Sequence, residues 1–435
     1  MPSSERPGLR VTALAISAQL GGTERVLLDF AERAFESDIA LRVLTPRDGP
    51  LIRILNELGI PAQVVEGPET LLRGSQRLGA LTTVPAALLA LRRWSRRLAD
   101  HPYVRDAAVL YSVSFKTHLA TLYRPVPAVE RLSGRAVERL SGSAVGGPAV
   151  VWHLHEFPPT ATGVLWKMLA RRKPDALIAN SRAVATAWGG REPLNRSPAQ
   201  PPVSTAQPLV VPNGVDLDRF RPRDRSFWIH DRLGIPREDR LIGMPAVLAR
   251  WKGQLEVIEA FSRVAGQFPE AHLVLVGGNI YDTAAETRFQ HDLARELERR
   301  RAAGLTQVHQ LPFQAKVELV YPELDAAVHY SRRPEAFGRV VLEAMACGVP
   351  VLAAAEGGPR EILTEGGWLV PPRQPPALAA ALASALTLPS EALREVGRQG
   401  RLRAEDRYSA RRFARDVAEV LKGVQRTAHS SPLTS

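Results

Sequence analysis

Short apolar segments alternate with amphipathic segments along almost the whole chain. In the first half, apolar runs such as VTALAIS (11–17) and AVVWHLHE (149–156) are separated by helical patterns such as TERVLLDFAERAFE (23–36). The pattern starts again in the second half, from LIGMPAVL (241–248) to GWLVPP (367–372). Strands that are apolar throughout and are joined by helices are typical of parallel sheets covered on both faces. The pattern therefore predicts an α/β protein with two successive doubly wound, Rossmann-like domains.

A polar, proline-containing stretch, DLDRFRPRDR (216–225), separates the two halves. We predict four parts in chain order. An N-terminal domain covers 1–220 and a C-terminal domain covers 221–405. An amphipathic C-terminal helix follows over 406–427, and a fraying tail over 428–435.

Two stretches of the first half interrupt the alternation and are expected to be insertions. One lies near 128–147, where AVERLSGR is followed at once by AVERLSGS. The other, over 191–207, is rich in Pro, Ser and Gln and is expected to be a surface loop. A short helix that touches an acceptor or a membrane is the alternative interpretation of the duplicated stretch.

Composition places the chain among ordinary globular proteins. It has 435 residues, of which 45% are hydrophobic and 23% charged, and one cysteine, Cys347. A single cysteine excludes an internal disulfide framework, and its apolar setting favours a small buried residue over a catalytic thiol. No apolar stretch is long enough to span a membrane, and the N-terminal pattern resembles a strand more than a signal peptide. We expect a cytoplasmic protein.

The net charge of +12 favours an anionic partner. One basic cluster, LRRWSRRLADHPYVR (91–105), places arginines at helical spacing between apolar residues. A solvated helix face, a docking face for an anionic membrane and a nucleic-acid site all fit this pattern. Because no nucleic-acid motif is present, we expect no nucleic-acid partner and keep peripheral membrane contact as an alternative.

Glycines and polar residues follow several predicted strands, where doubly wound sheets bind their ligands. Gly21 and Gly22 end the first strand and precede a helix that carries Glu24. Such a turn either lets a ligand approach the helix N-terminus or is only a tight turn. His153 and His155 lie two apart at the end of AVVWHLHE, with no third metal ligand at recognisable spacing nearby. His155, at the strand end, is the better candidate to orient a substrate hydroxyl.

In the second half, Arg250 and Lys252 stand just before a helix, which favours a phosphate site. The stretch lacks a Walker motif, and VGGNIYD lacks the GxGxxG fingerprint of dehydrogenases.

The segment EAFGRVVLE (335–343) carries Glu335 and Glu343. On one helix, their side chains would lie about 80° apart, which suits two parts of an extended ligand better than one atom. Gly338 lies between them, and a second glycine pair, Gly357 and Gly358, follows the next predicted strand.

EAFGRVVLE, followed by AMACGVPVLAAAEGGPREI, resembles the E-x7-E signature of retaining glycosyltransferases of family 4. Further motifs stand in the same order as in that family: GGTERVLLDFA, VWHLHE, IANS, VPNGVD, RWKGQLEVIEAF and VLVGG. The resemblance implies a GT-B fold, with two Rossmann-like domains facing a cleft and a C-terminal helix that returns to the first domain. It also implies transfer of a sugar from a nucleotide donor, a UDP- or GDP-sugar, with retention of configuration. The acceptor would be a glycan, a lipid-linked molecule or a small molecule, as in polysaccharide biosynthesis.

The resemblance also implies roles for residues. Glu335 would hold hydroxyls of the donor sugar, and Glu343 would accept hydrogen bonds from the ribose. Lys252 would neutralise the diphosphate, and His155 would lie near the reacting sugar. The remaining contacts implied are backbone contacts to the donor, at Phe337, Gly338, Gly21 and Gly22.

One position departs from the family. An arginine is usual five residues before the lysine, and here that position is Val247. We expect Arg250 to supply the missing charge. Because no Asp-x-Asp motif is present, we expect neither a required metal nor a cofactor. The alternatives are a GT-B protein that binds a sugar nucleotide without turnover and an epimerase of nucleotide sugars.

Overall fold

A computed structural model describes residues 8–68, 84–122, 147–160, 162–172, 174–189, 207–279 and 283–430. The duplicated stretch, nearly all of the Pro-rich loop and residues 431–435 of the tail lie outside the described residues. The chain forms two compact units, the first from residues 1–212 with 411–435 and the second from residues 213–410. The predicted boundary at residue 220 lies inside the second unit.

The first unit is built on a parallel sheet of seven strands in the order β3-β2-β1-β4-β5-β6-β7. Apolar side chains at nearly every strand position explain this sheet, because both of its faces are covered. Its strands are β1 Leu9–Leu14, β2 Ile39–Thr45, β3 Ala62–Val64, β4 Val109–Ser112, β5 Ala149–Leu154, β6 Ala176–Ala179 and β7 Leu209–Val210.

The described helices of the first unit are α1 Gly22–Ala31, α2 Pro50–Glu57, α3 Val84–Asp100, α4 Pro102–Arg105, α5 Phe115–Ala120, α6 Gly163–Arg172 and α7 Arg182–Ala187. The C-terminal helix, Ala410–Ser430, also packs in this unit. Its apolar face, with Phe413 and Leu421, shares one core with Phe30 of α1 and Leu51 of α2. This burial of an amphipathic face explains why the end of the chain returns to the first unit.

The second unit repeats the architecture with six parallel strands in the order β10-β9-β8-β11-β12-β13. They are β8 Arg240–Pro245, β9 Ala271–Val276, β10 Val308–Leu311, β11 Ala326–His329, β12 Val351–Ala354 and β13 Gly367–Val370. Its described helices are α8 Trp228–Leu233, α9 Gln254–Ser262, α10 Ala284–Ala302, α11 Arg339–Ala346, α12 Pro359–Ile362, α13 Pro375–Thr387 and α14 Ser390–Arg407, after which Ala410–Ser430 is α15.

The strand orders place a topological switch point in each sheet. In the first unit it lies between β1 and β4, and in the second between β8 and β11. In each sheet, the chain first adds strands on one side of its first strand (β1 or β8) and then continues on the other side of that strand. Ligands of open α/β sheets bind at such points, beyond the carboxyl ends of the strands. The predicted fold class, two doubly wound units with a returning C-terminal helix, is confirmed.

No single helix of the described chain is long and apolar enough to cross a membrane. The helices α13 and α14, which are bent relative to each other, reach the necessary length and apolar composition only when they are taken together.

Candidate functional site

The switch point of the second unit brings Lys252 and Glu335 together. Lys252 follows β8, and Glu335 follows β11, 83 residues further along the chain. The Lys252 ammonium donates to Oε1 of Glu335. Lys252 is 16% exposed and Glu335 15%, so the ion pair is largely buried but still reaches solvent. Two charged groups predicted separately from sequence therefore form one site.

Glu335 Oε1 has further partners on β11 and just beyond it. Ser331 Oγ donates to it at 2.9 Å, and His329 Nε2 lies 3.3 Å away. Burial alone would raise the pKa of Glu335, but the charge of Lys252 and the hydrogen bond from His329 hold that pKa well below its ordinary range. The carboxylate therefore stays ionised throughout the neutral range.

Two glycines allow the loops of this site to lie close together. Gly253 has φ +86°, and a Cβ there would collide with the backbone carbonyl of Tyr330. Gly357 has φ +70°, and a Cβ there would collide with the carbonyl of Glu335. The left-handed region is open mainly to glycine, and the missing side chains allow the close approach. The loops after β8, β11 and β12 are thereby fixed around Glu335.

Two helices begin at the site. Gly253 is the N-cap of α9, and Gly338, with φ +94°, is the N-cap of α11. Neither N-cap has a side chain that could bind the first N–H groups of its helix. Because helix N-termini favour negative charge, the site combines an ammonium with two partial positive charges. Phe337, just before Gly338, is buried, so only its backbone is available to a ligand.

Glu343 lies inside α11 and is 7% exposed. Tyr321 Oη donates to its Oε2 at 2.9 Å, and Arg339 Nε lies 3.3 Å from its Oε1. Burial and the Glu343 charge raise the pKa of Tyr321 well above its ordinary value, so this phenol remains a donor. The two glutamates of EAFGRVVLE thus have separate environments, and the ribose contact of Glu343 stays a prediction.

Arg250 lies on the same loop as Lys252 but has a different partner. Its guanidinium contacts both carboxylate oxygens of Glu256, at 3.0 and 3.1 Å. The Lys252 ammonium lies 4.1 Å from the centre of the Trp251 ring, a cation–π contact. The proposal that Arg250 supplies the charge missing at Val247 stays a prediction. It would require the Arg250 guanidinium to bind a ligand in addition to Glu256, or in place of it.

In the first unit, Gly21 is the N-cap of α1, and Gly22 is its first residue. A Cβ at Gly22 would meet no atom within 4 Å, so neither packing nor a left-handed φ demands glycine there. Glu24, 4% exposed, occupies the third helical position and accepts hydrogen bonds from the backbone N–H groups of Gly21 and Glu24, as in half of a capping box. The turn is therefore a helix cap with open space beside Gly22.

Burial raises the pKa of Glu24 to about 7, and the nearby charge of Glu156 adds to this rise. Its unfolded pKa is near 4.5, so its contribution to stability is fully present below that pH and is lost as the pH rises through 7. We expect Glu24→Gln to leave the free energy of unfolding almost unchanged at pH 4.5 and to raise it by up to about 3 kcal/mol at pH 8. Urea unfolding at the two pH values measures this. The exposed Glu57→Gln is the control, and equal effects of Glu24→Gln at both pH values would contradict the expectation.

The two histidines at the end of β5, His153 and His155, differ in burial. His153 is fully buried, and its Nδ1 forms a hydrogen bond with the hydroxyl of Tyr111. His155 lies just beyond the strand, partly exposed, with its ring 3.9 Å from that of His153. Burial lowers the pKa of His153 well below its ordinary value, so it is a neutral support for His155. The predicted preference for His155 as the functional histidine stays a prediction.

Several side chains that contact the predicted residues were missed by the sequence interpretation, among them His329, Ser331 and Tyr321. A signal existed for the first two, because residues two apart at a strand end share one face. No local pattern links Tyr321 to Glu343. Cys347 is buried, and burial raises the pKa of its thiol to about 12, as expected for an inert cysteine. Among the described residues, no group of three or more His, Cys, Asp or Glu side chains could hold a metal ion.

Two Rossmann-like units with a returning C-terminal helix define the GT-B class of fold, and solved structures of that class agree. Residues 227–403 match the model of the family described as glycosyl transferases group 1. Most of the second unit thus matches this family model, and the resemblance found in the sequence is confirmed at that level.

Curated relatives with glycosyltransferase names match part of this chain. The chain is 36% identical over 219 residues to a D-inositol 3-phosphate glycosyltransferase of Geodermatophilus obscurus, covering 49% of this chain and 45% of the relative. It is 31% identical over 283 residues to the protein of that name from Thermobispora bispora, covering 62% of each chain. The chain thus spans about half the length of the curated relatives it matches.

The solved structures cover nearly the whole chain. Anabaena Alr3699/HepE in complex with UDP-glucose has a TM-score of 0.71 at 22% identity, over 95% of this chain and 99% of that one. Sucrose-phosphate synthase from Thermosynechococcus elongatus has a TM-score of 0.70 at 18% identity, over 97% and 100%. At these identities, the likeness establishes the fold.

Proposed function

We propose that the protein is a retaining glycosyltransferase that uses a UDP- or GDP-sugar as donor. The observation that carries this proposal is the Lys252–Glu335 ion pair at the β8/β11 switch point, between the N-termini of α9 and α11. A cation and free backbone N–H groups suit a diphosphate, and an adjacent ionised carboxylate suits a sugar. The group 1 glycosyl transferase domain supports both assignments.

The chemistry follows from these charges. In the transfer, the bond between the sugar C1 and the donor phosphate oxygen breaks, and the acceptor oxygen binds C1 on the same face. The acceptor proton goes to the departing phosphate. Lys252 and the helix N-termini stabilise the negative charge of the diphosphate, which is electrostatic catalysis. In this proposal, Glu335 orients the sugar and stabilises positive charge at C1 without forming a bond to it. Lys252, His329 and Ser331 hold its carboxylate in place through Oε1.

The donor and acceptor classes are also proposals. The UDP-glucose complex of Anabaena Alr3699/HepE makes a UDP-sugar the first donor to test. The relatives' name, D-inositol 3-phosphate glycosyltransferase, makes a phosphorylated cyclic alcohol one small-molecule acceptor worth including. Glycan and lipid-linked acceptors complete the set.

Purified protein mixed with UDP-, GDP- and ADP-sugars, with and without EDTA, tests the reaction. We expect one donor to raise Tm and to release nucleoside diphosphate slowly, faster with acceptor, with EDTA making no difference. Proton NMR of the product should show the anomeric configuration of the donor. Binding without release would favour a non-catalytic nucleotide-sugar protein, a candidate that Val247 at the usual arginine position supports. Inversion, or loss of activity with EDTA, would contradict the retaining or the metal-independent part.

Glu343 offers a separate prediction on binding. If its carboxylate accepts hydrogen bonds from a ribose, Glu343→Gln should weaken the binding of the bare nucleoside diphosphate by about 10-fold. A hydrogen bond to a charged group contributes roughly 1.5 kcal/mol, which corresponds to this change. Calorimetric titration measures this. Tyr321→Phe is the matched control, because it removes the partner hydroxyl and keeps the carboxylate. Equal losses in both variants would assign Glu343 to packing of α11 and not to the ribose.

A further inference from the structure

Helix α3 presents a row of arginines to solvent. Leu91, Trp94 and Leu98 are 3%, 3% and 5% exposed and pack inward, and Trp94 Nε1 donates to the Val65 carbonyl at 3.0 Å. These contacts fix the rotation of the helix. The opposite side carries four exposed arginines: Arg92, Arg93, Arg96 and Arg97. The described helix therefore holds four positive charges within six residues, on the side opposite its packed face.

Within the described chain, these four arginines stand together without a carboxylate partner, whereas several arginines on other helices are paired. On α10 and α14, arginines bind acids three or four residues away, as in Arg299–Glu296 and Arg398–Glu395. Helix α3 has one acid, Asp100, and it binds Arg105. Among the residues that the structure describes, no carboxylate pairs with the four arginines. The four charges of the described helix α3 thus lack the i,i+3 and i,i+4 pairing that offsets part of the arginine charge on α10 and α14.

Exposed apolar side chains accompany this charge. Leu88 and Leu89, early in α3, are 53% and 49% exposed. Early in α6, Val164, Leu165 and Met168 are 76%, 55% and 51% exposed. Leu88 and Leu89 share their helix with the unpaired cations, and exposed aliphatic groups beside such cations are typical of proteins that lie on a bilayer surface.

Both helices cover the same face of the first sheet. Ser95 and Leu98 of α3 line a small cavity with Leu110 of β4 and Val150 of β5. Trp166 of α6 packs on Trp152 of β5, two residues along from Val150 and thus on the same face. Helices that connect parallel strands run antiparallel to them, so the first turns of α3 and α6 point to the carboxyl edge of the sheet. The exposed apolar residues are therefore at the edge where His155 lies.

We propose that this surface, Leu88–Arg97 with the exposed start of α6, docks the protein onto an anionic lipid bilayer. The arginines bind lipid phosphates, and the leucines, Val164 and Met168 enter the boundary of the acyl chains. Nucleic acid fits less well, because the exposed side chains of this surface are aliphatic and its tryptophans are buried. The proposal concerns the first unit and does not depend on the reaction at Lys252.

Vesicle sedimentation of the full chain tests the docking. We expect binding to vesicles of phosphatidylcholine with phosphatidylglycerol, weakened by salt, and little binding to phosphatidylcholine alone. Arg92→Gln/Arg96→Gln should lower the partition coefficient by about 10- to 30-fold, at roughly fivefold for each arginine near the surface. Arg92→Lys/Arg96→Lys should retain most of the binding. Leu88→Ser/Leu89→Ser should weaken it without changing the net charge.

The matched control is Arg394→Gln/Arg398→Gln on α14, which removes the same charge from paired, exposed positions. Circular dichroism and Tm confirm that each variant is folded, and nucleoside diphosphate binding reports on the second unit independently. Failure of the wild type to bind anionic vesicles would overturn the proposal. Equal losses in the α3 and α14 variants would also overturn it, as would binding of single-stranded RNA in place of vesicles.

Discussion

Replacing Glu335 by glutamine is expected to lower kcat by about 10²- to 10³-fold, the range found when one preorganised electrostatic group is removed from an active site. Glutamine keeps the size of the side chain but not its charge. The negative charge stabilises the positive charge that develops at the sugar C1, while a diphosphate gains nothing from a carboxylate. The Kd of the bare nucleoside diphosphate should therefore not rise, since the substitution only frees Lys252 from its carboxylate partner.

Steady-state kinetics with the donor identified by nucleotide release, together with calorimetry of the nucleoside diphosphate, measures both quantities. Glu395→Gln is the control, since Glu395 is an exposed glutamate of the same unit that pairs with Arg398 on α14. Near-normal kcat in Glu335→Gln would rule out the assigned role. If Glu335→Gln lost only nucleotide affinity, Glu335 would be assigned to the nucleotide and not to the sugar.

Lys252→Met is expected to weaken the binding of the bare nucleoside diphosphate by about 10- to 100-fold, because a hydrogen bond to a charged group contributes roughly 1.5–3 kcal/mol. Methionine keeps an apolar stem that can remain against Trp251. The substitution also removes the largest influence that lowers the pKa of Glu335, so burial should raise that pKa. Residual kcat should then fall as the pH is lowered, since the protonated form of Glu335 is inactive.

Calorimetry and a pH–rate profile check the two effects of Lys252→Met. Lys316→Met, at an exposed lysine of the same unit, is the control. Wild-type affinity of Lys252→Met for the nucleoside diphosphate would show that the diphosphate does not bind at Lys252. An unchanged profile between pH 5 and 8 would show that Lys252 does not keep Glu335 ionised.

The sequence predicted the fold class because nearly every strand is an uninterrupted apolar run and nearly every connection is amphipathic. It did not predict strand order, which depends on the contacts between runs and not on the runs themselves. The return of α15 to the first unit came from family resemblance, and the packing of Phe413 and Leu421 gives it a physical reason.

The site was predictable where a chemical group stood beside a helix start. Lys252, Glu335 and Gly338 each precede or begin a helix, and their meeting follows from adjacent strands at one switch point. The supports of the site were harder to find. His329 ends β11 and Ser331 lies just beyond it, in a segment whose sequence pattern is that of a core strand. The Tyr321–Glu343 hydrogen bond spans 22 residues without a local pattern. The pairing of Arg250 with Glu256 also depends on how the loop closes onto α9.

The central claim is that Lys252 binds the donor diphosphate while Glu335 acts on the sugar during transfer. The most direct test is to measure nucleoside diphosphate Kd and donor kcat side by side in wild type, Lys252→Met and Glu335→Gln. We predict that Lys252→Met loses both nucleotide affinity and kcat, and that Glu335→Gln loses kcat alone. Wild-type nucleotide affinity in Lys252→Met, together with wild-type kcat in Glu335→Gln, would contradict the account.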